Sequence, residues 1–191
     1  MPDELLDIIN ADDVVITQHM RSVVHRQGLL HRGVHIFLVN PDGRLLVQKR
    51  SHQRDNFPLA LDCSVSEHVK ASEDYQQAAM RGLREELGLQ YAELHPLVKF
   101  IMSYGVNDEE ISLLYESKVD PTLVQFDPEE VDAIAYYSLD ELATMMRNGE
   151  TVFCSWFIQL IRWYLCESSQ LKVMQIYSED HLLLSSRRGK R

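Results

Sequence analysis

Three cysteines in 191 residues leave little room for a disulfide framework. Cys63, Cys154 and Cys166 are an odd set without metal-ligand spacing, so reduced thiols and a cytoplasmic setting are expected. Positive charge is also scarce. Lys and Arg number 19 against 29 Asp and Glu, and the formal net charge is -10. Such a balance argues against nucleic-acid binding, which needs a basic footprint. No apolar run is long enough to span a bilayer and no secretory leader is recognisable, so no membrane partner is expected. Internal repeats and low-complexity linkers are missing too. The length suits one domain over residues 1–191 with a sizeable core. The basic end, residues 185–191, is expected to be disordered.

What is present reads as strands punctuated by few helices. Leu5–Ile9 and Val14–Thr17 flank a polar turn at 10–13, and Met20–Gln27 forms a short helix closed by Gly28. His31–Asn40 and Arg44–Arg50 are strands joined by Pro41-Asp42-Gly43. Leu59–Val65 is extended. Leu97–Tyr104, Ile111–Lys118 and Glu130–Ser138 are further strands, and Leu171–Tyr177 is a candidate edge strand. Ser138 and Glu141 have capping-box spacing at the head of one helix. Val152–Cys166 reads as a second long helix whose aromatic stripe belongs to the core.

One stretch carries chemistry. In Glu67–Leu89, Ser72 can cap a helix, Glu73 and Asp74 suit its N-terminal end, and Gly88 suits the left-handed position beyond its C-terminus. Tyr75, Ala79, Leu83 and Leu87 recur every four residues as an apolar stripe. Gly82, Glu85 and Glu86 share one arc, and Arg81 lies four residues before Glu85 and can orient it. Adjacent carboxylates held this way suit Mg2+ or Mn2+, which bridge a diphosphate and activate water.

The spacing of Glu73, Arg81, Leu83, Glu85-Glu86, Gly88 and Leu89 resembles the signature of the Nudix hydrolases, the Nudix box. Two positions depart from it: Glu67 stands for the opening Gly, and Gly82 for the Glu after Arg81. The resemblance implies an α/β fold, a Nudix-type α/β/α sandwich around a mixed β-sheet. It also implies hydrolysis of a pyrophosphate bond in a nucleoside diphosphate derivative or similar small molecule. Three consequences of Gly82 stand open. Glu67 or Glu110 supplies the missing acid; the site binds metal weakly and turns over slowly; or the protein binds a nucleotide-like ligand without cleaving it.

Further stretches, Met20–His25, Leu30–Arg32, Leu46–Arg50 and Phe57-Pro58, resemble the branch containing isopentenyl-diphosphate isomerase and its hydrolase relatives. That resemblance implies a metal held by His25, His31, His68, Asp108 and Glu110, and a diphosphate gripped by Arg50 and Arg54. It also puts Ser66 where the isomerase reaction needs a thiol, which favours hydrolysis. Cys63, three residues earlier on an extended stretch, is expected to point to the other face. The candidate roles are therefore Glu110, Glu67 and Glu86 in catalysis; Glu85, Glu86, Glu110 and His68 at the metal; Arg50 and Arg54 on the substrate; and Arg81 and Glu73 as orienting groups. The expected partner is a small-molecule diphosphate, and the protein a monomer or homodimer.

Overall fold

The computed structural model describes residues 3–54, 56–149 and 151–178; the expectation for residues 185–191 lies outside them. Strand β3 (His31–Val39) is the spine, because residues of both parities along it are apolar. Val34, Ile36 and Leu38 bury on one face, Phe37 and Val39 on the other. A strand covered on both sides needs such a run. β3 pairs in parallel with β8 (Asp108–Lys118) and antiparallel with β6 (Val65–His68) and β4 (Leu45–Arg50). β7 (His95–Gly105) and β10 (Lys172–Ile176) extend the sheet beyond β8, while β5 (Leu61–Asp62) and β9 (Val131–Tyr137) pair with β4. The sheet is mixed.

Helix α2 (Tyr75–Leu87) covers one face with Ala79, Leu83 and Leu87 against Val34, Ile36 and Leu46. Helices α3 (Leu139–Asn148) and α4 (Ser155–Tyr164) cover the other with Leu142, Phe157, Leu160 and Tyr164. The result is the expected α/β/α sandwich. Full burial of each such aliphatic or aromatic side chain is worth roughly 1.5–3 kcal/mol. α4 is shorter than the sequence implies. Leu61 N donates to Val152 O at 2.9 Å and Cys154 N to Leu61 O at 2.9 Å, so the chain runs extended past Phe153 before it coils.

The cap of α2 also differs from the expectation. Asp74, not Ser72, is the N-cap: its carboxylate accepts from Gln77 N at 2.8 Å, and Gln77 Oε1 accepts from Asp74 N at 2.9 Å. Ser72 adopts φ 67° in the loop ahead, and its N–H donates to Asp7. Gly88 closes the helix at φ 68°.

A front hairpin, β1 (Leu5–Ile9) and β2 (Val15–Met20), leads into α1 (Arg21–Gln27), which packs back on β1. The hairpin turn is clasped at Asp13, which takes Arg32 Nε at 2.5 Å, Lys99 Nζ and Tyr75 OH. Among the described residues no helix is long and apolar enough to cross a membrane.

Candidate active site

Alternation along β6 divides its side chains. Ser66 pairs with His35 and His68 with Gly33, whereas Glu67 pairs with Val34 and turns to α2. There β6 and α2 approach so closely that a Cβ on residue 82 would lie 2.7 Å from Val65 Cγ1 and 2.8 Å from Glu67 Cγ. Glycine inside a helix costs about 1 kcal/mol relative to alanine. Here it makes room for the Glu67 side chain. Arg81, almost wholly buried, holds the junction. Its Nη1 donates to Glu67 at 2.7 Å and Glu85 at 3.2 Å, its Nε to Glu73 at 2.9 Å, and its Nη2 to His68 O at 2.8 Å.

Glu67, partly buried, and Glu86, fully buried, are neighbouring carboxyls whose pKa values shift in opposite directions. Burial pushes Glu86 well above the usual carboxylate range and the Glu67 charge adds to it, against Arg54 and the Gln48 amide, which donates at 2.8 Å. Burial also opposes ionisation of Glu67, but Arg81 outweighs it and holds Glu67 below its ordinary value. Glu86 Oε1 is buried without a hydrogen-bond partner. Glu85 is half exposed at the rim, and Glu73 sits behind Arg81 away from the cavity.

A second cluster forms where α1, β3, β6 and β8 meet. The parallel register sets His31 beside Glu110, with His31 Nε2 3.5 Å and His68 Nε2 3.4 Å from Glu110 Oε1. His25 Nδ1 lies 3.2 Å from Asp108 Oδ1. The three imidazole centroids are 5.1–5.2 Å apart. His31 Nδ1 donates to Leu29 O at 2.9 Å, so Nε2 is the nitrogen that faces the cluster. Gly33 leaves room for the Glu110 carboxylate, because a Cβ there would be 2.0 Å from Glu110 Oε2. Burial disfavours the Glu110 charge, yet His31 and His68 hold its carboxyl well below the usual range.

Among the described residues, His25, His31 and His68, and His31, Asp108 and Glu110, each place three ligand atoms within 4.8 Å of one another. Neither set includes Glu85 or Glu86. His25 Nε2, His31 Nε2 and Asp108 Oδ1 are buried without hydrogen-bond partners. Orphaned donor atoms of these types fit a divalent cation.

Both groups border a cavity of about 360 Å3, which Arg21, Arg50, Arg54 and Lys70 also line. Arg50 is itself held by Asp62 at 2.9 Å and by Asn56 O at 3.2 Å, and Arg54 pairs with Glu130 at 2.5 Å. Arg21 and Lys70 escaped the sequence reading. Their signal was spacing: Arg21 is one helical turn before His25, and Lys70 is two residues after His68. A further wall consists of Ser66, His35, Tyr104 and Trp156. Cys63 corrects the sequence reading. The strand breaks between β5 and β6, alternation fails, and its thiol lies beside the Ser66 hydroxyl instead of on the opposite face. The thiol is fully buried in the core, where burial pushes its pKa up.

The NUDIX domain model matches residues 29–157. The chain belongs to the Nudix hydrolase family. A Nudix hydrolase of Deinococcus radiodurans is 31% identical over 150 residues, covering 78% of this chain and 86% of its own. An isopentenyl-diphosphate Delta-isomerase of Serratia proteamaculans is 30% identical over 167 residues, covering 84% of this chain and 90% of its own. In three dimensions the chain is similar to a D. radiodurans crystal structure with a TM-score of 0.71 and 28% identity, covering 84% of this chain and 98% of that one. The family and its α/β/α architecture thus agree with the box read in Glu67–Leu89.

Proposed function

We propose that this Nudix enzyme cleaves the pyrophosphate bond of a small diphosphate-linked molecule, a nucleoside diphosphate derivative or a close analogue, as one cytoplasmic domain, monomeric or homodimeric. One observation carries the reading: a single cavity sets the carboxyls of Glu67, Glu86 and Glu110 among the cations Arg21, Arg50, Arg54 and Lys70. Guanidinium and ammonium groups suit phosphate oxygens, and carboxyls serve cation binding and proton transfer.

Glu86 with Glu67 and the rim Glu85 would hold one Mg2+ or Mn2+, and His25, His31, His68, Asp108 and Glu110 another. A divalent cation supplies charge neutralisation for the diphosphate and acidifies water. Glu67 stands in for the carboxylate that Gly82 lacks. Glu67 or Glu110, both kept ionised, accepts the proton of the attacking water. Arg50 and Arg54 hold the phosphates, and Arg81 and Glu73 hold Glu67 in place. Phosphate release from nucleoside diphosphates, triphosphates and diphosphate conjugates tests this with Mg2+ and with Mn2+. Wild type should turn over at least one of them, and Glu86→Gln should lose about 100-fold or more. Equal inertness of both would sink it.

A second reading, diphosphate isomerisation, draws support from the assembled histidine–carboxylate cluster and the isomerase relative. Ser66 weighs against it, because a hydroxyl is a far poorer proton donor to carbon than a thiol. Turnover of isopentenyl diphosphate to its isomer by the wild-type chain would reverse the ranking.

A further inference from the structure

We propose that Ser66, His35 and Tyr104 form a specificity wall that accepts hydrogen bonds and donates none. The organic group of the diphosphate substrate therefore carries a hydroxyl or amine donor where it meets this wall. The inference rests on the diphosphate reading above and adds the class of the attached group.

The argument is an accounting of protons, since each hydroxyl has only one to give. Ser112 Oγ donates to Glu110 Oε2 at 3.1 Å, which spends its proton. The 2.9 Å contact between Tyr104 OH and Ser112 Oγ is then made with the Tyr104 proton. The 2.9 Å contact between Tyr104 OH and His35 Nε2 must be donated by His35. Burial lowers the pKa of His35 and keeps the ring neutral, so its Nδ1 is a bare lone pair. Ser66 Oγ lies 3.1 Å from that Nδ1 and 3.2 Å from Asp62 Oδ1. Both are acceptors, so the Ser66 proton points into the protein in either case. The Trp156 indole N–H is likewise spent, on Asp62 at 2.6 Å.

Ser66, His35, Tyr104 and Trp156 nevertheless border the cavity. They are contiguous: the Tyr104 ring centroid is 6.0 Å from His35 and 5.7 Å from Trp156. What Ser66 and Tyr104 show the ligand are oxygen lone pairs, framed by an aromatic face. A hydroxyl or amine satisfies them. A purely hydrocarbon end strips their hydration and returns nothing. The wall therefore selects sugar-like, polyol or amino-bearing diphosphates over prenyl ones, and Ser66 is the specificity-determining residue.

The test uses the full-length protein with Mg2+ and two methylenediphosphonate monoesters, of 3-methylbutan-1-ol and of 3-methylbutane-1,3-diol. The two differ by one hydroxyl, and neither can be hydrolysed at the bridge. By calorimetry the diol ester should bind wild type about tenfold more tightly, the worth of one well-made hydrogen bond. Ser66→Ala should bring the ratio near one, and Ser66→Thr, which keeps the hydroxyl, should restore it. Equal binding by wild type, preference for the alkyl ester, or failure of both esters to bind would overturn the proposal. If Ser66→Ala does not fold, the wild-type ratio alone decides. Phosphate release from the corresponding diphosphates is measured separately, so loss of the hydrolase reading is distinguishable from loss of the wall.

Discussion

Glu67 lies across the stretch of α2 that Gly82 leaves bare, its Cγ only 2.8 Å from where a Cβ at residue 82 would sit. An acid from β6 thereby occupies the surface from which the helical acid is missing. The two departures from the Nudix signature are thus one packing solution, seen from two elements.

Gly82→Ala should consequently be harmful despite the better helix propensity of alanine. The methyl must push against Val65 and Glu67, and overpacking of this kind costs about 1–3 kcal/mol, which at least offsets the propensity gain of about 1 kcal/mol. Urea denaturation should show a less stable variant, with turnover falling as Glu67 is displaced. A more stable, fully active variant would contradict the packing argument.

Gly33→Ala tests the other close approach. The added methyl would meet Glu110 Oε2, while the backbone there has no positive φ to strain. The fold should survive with a shifted carboxylate, and Mn2+ affinity measured by calorimetry should drop by about 10–100-fold, as when a supporting group of a metal site is lost.

Glu86 makes a prediction about pH. Its folded-state value is raised, by burial first and by Glu67 second, above the ordinary 4.5. Stability from keeping it protonated is therefore complete below about 4.5 and is lost as pH rises through the raised value. In metal-free buffer Glu86→Gln should melt at a higher temperature than wild type near neutral pH. The gap should close on acidification to about 4. Thermal melts in chelator across that range check the sign.

Asp62 is fully buried and accepts from Arg50, Trp156, Ser66 and Cys63 N. Asp62→Asn leaves the Arg50 guanidinium buried beside a neutral group, so a loss of about 3–5 kcal/mol is expected in denaturant titrations. Indole emission should change as the Trp156 hydrogen bond weakens.

Much of this molecule was legible before its structure. The α2 stripe and Gly88 cap follow from local spacing, and so does the capping box at Ser138. The cap at Asp74 was misjudged by two residues, because serine and aspartate both suit that position and only Gln77 decides between them. The hidden part of the site is what long-range pairing assembles. His35 meets Ser66 from 31 residues away, and Trp156 meets Asp62 from 94. His35 had no local signature, since one histidine in a buried strand reads as core. The crowding at Gly82 was equally invisible, because a missing side chain says nothing of what fills its place.

β3 carries His31 at the cation cluster, Gly33 beside Glu110 and His35 at the acceptor wall, all on one face of the strand. At a rise of about 3.3 Å per residue, Ser66 and His68 on the neighbouring β6 are only about 7 Å apart, and Ser112 Oγ bridges Tyr104 OH at 2.9 Å and Glu110 Oε2 at 3.1 Å. The sheet therefore sets the two marks side by side, so that one compact substrate can engage the cation cluster and the acceptor wall at the same time.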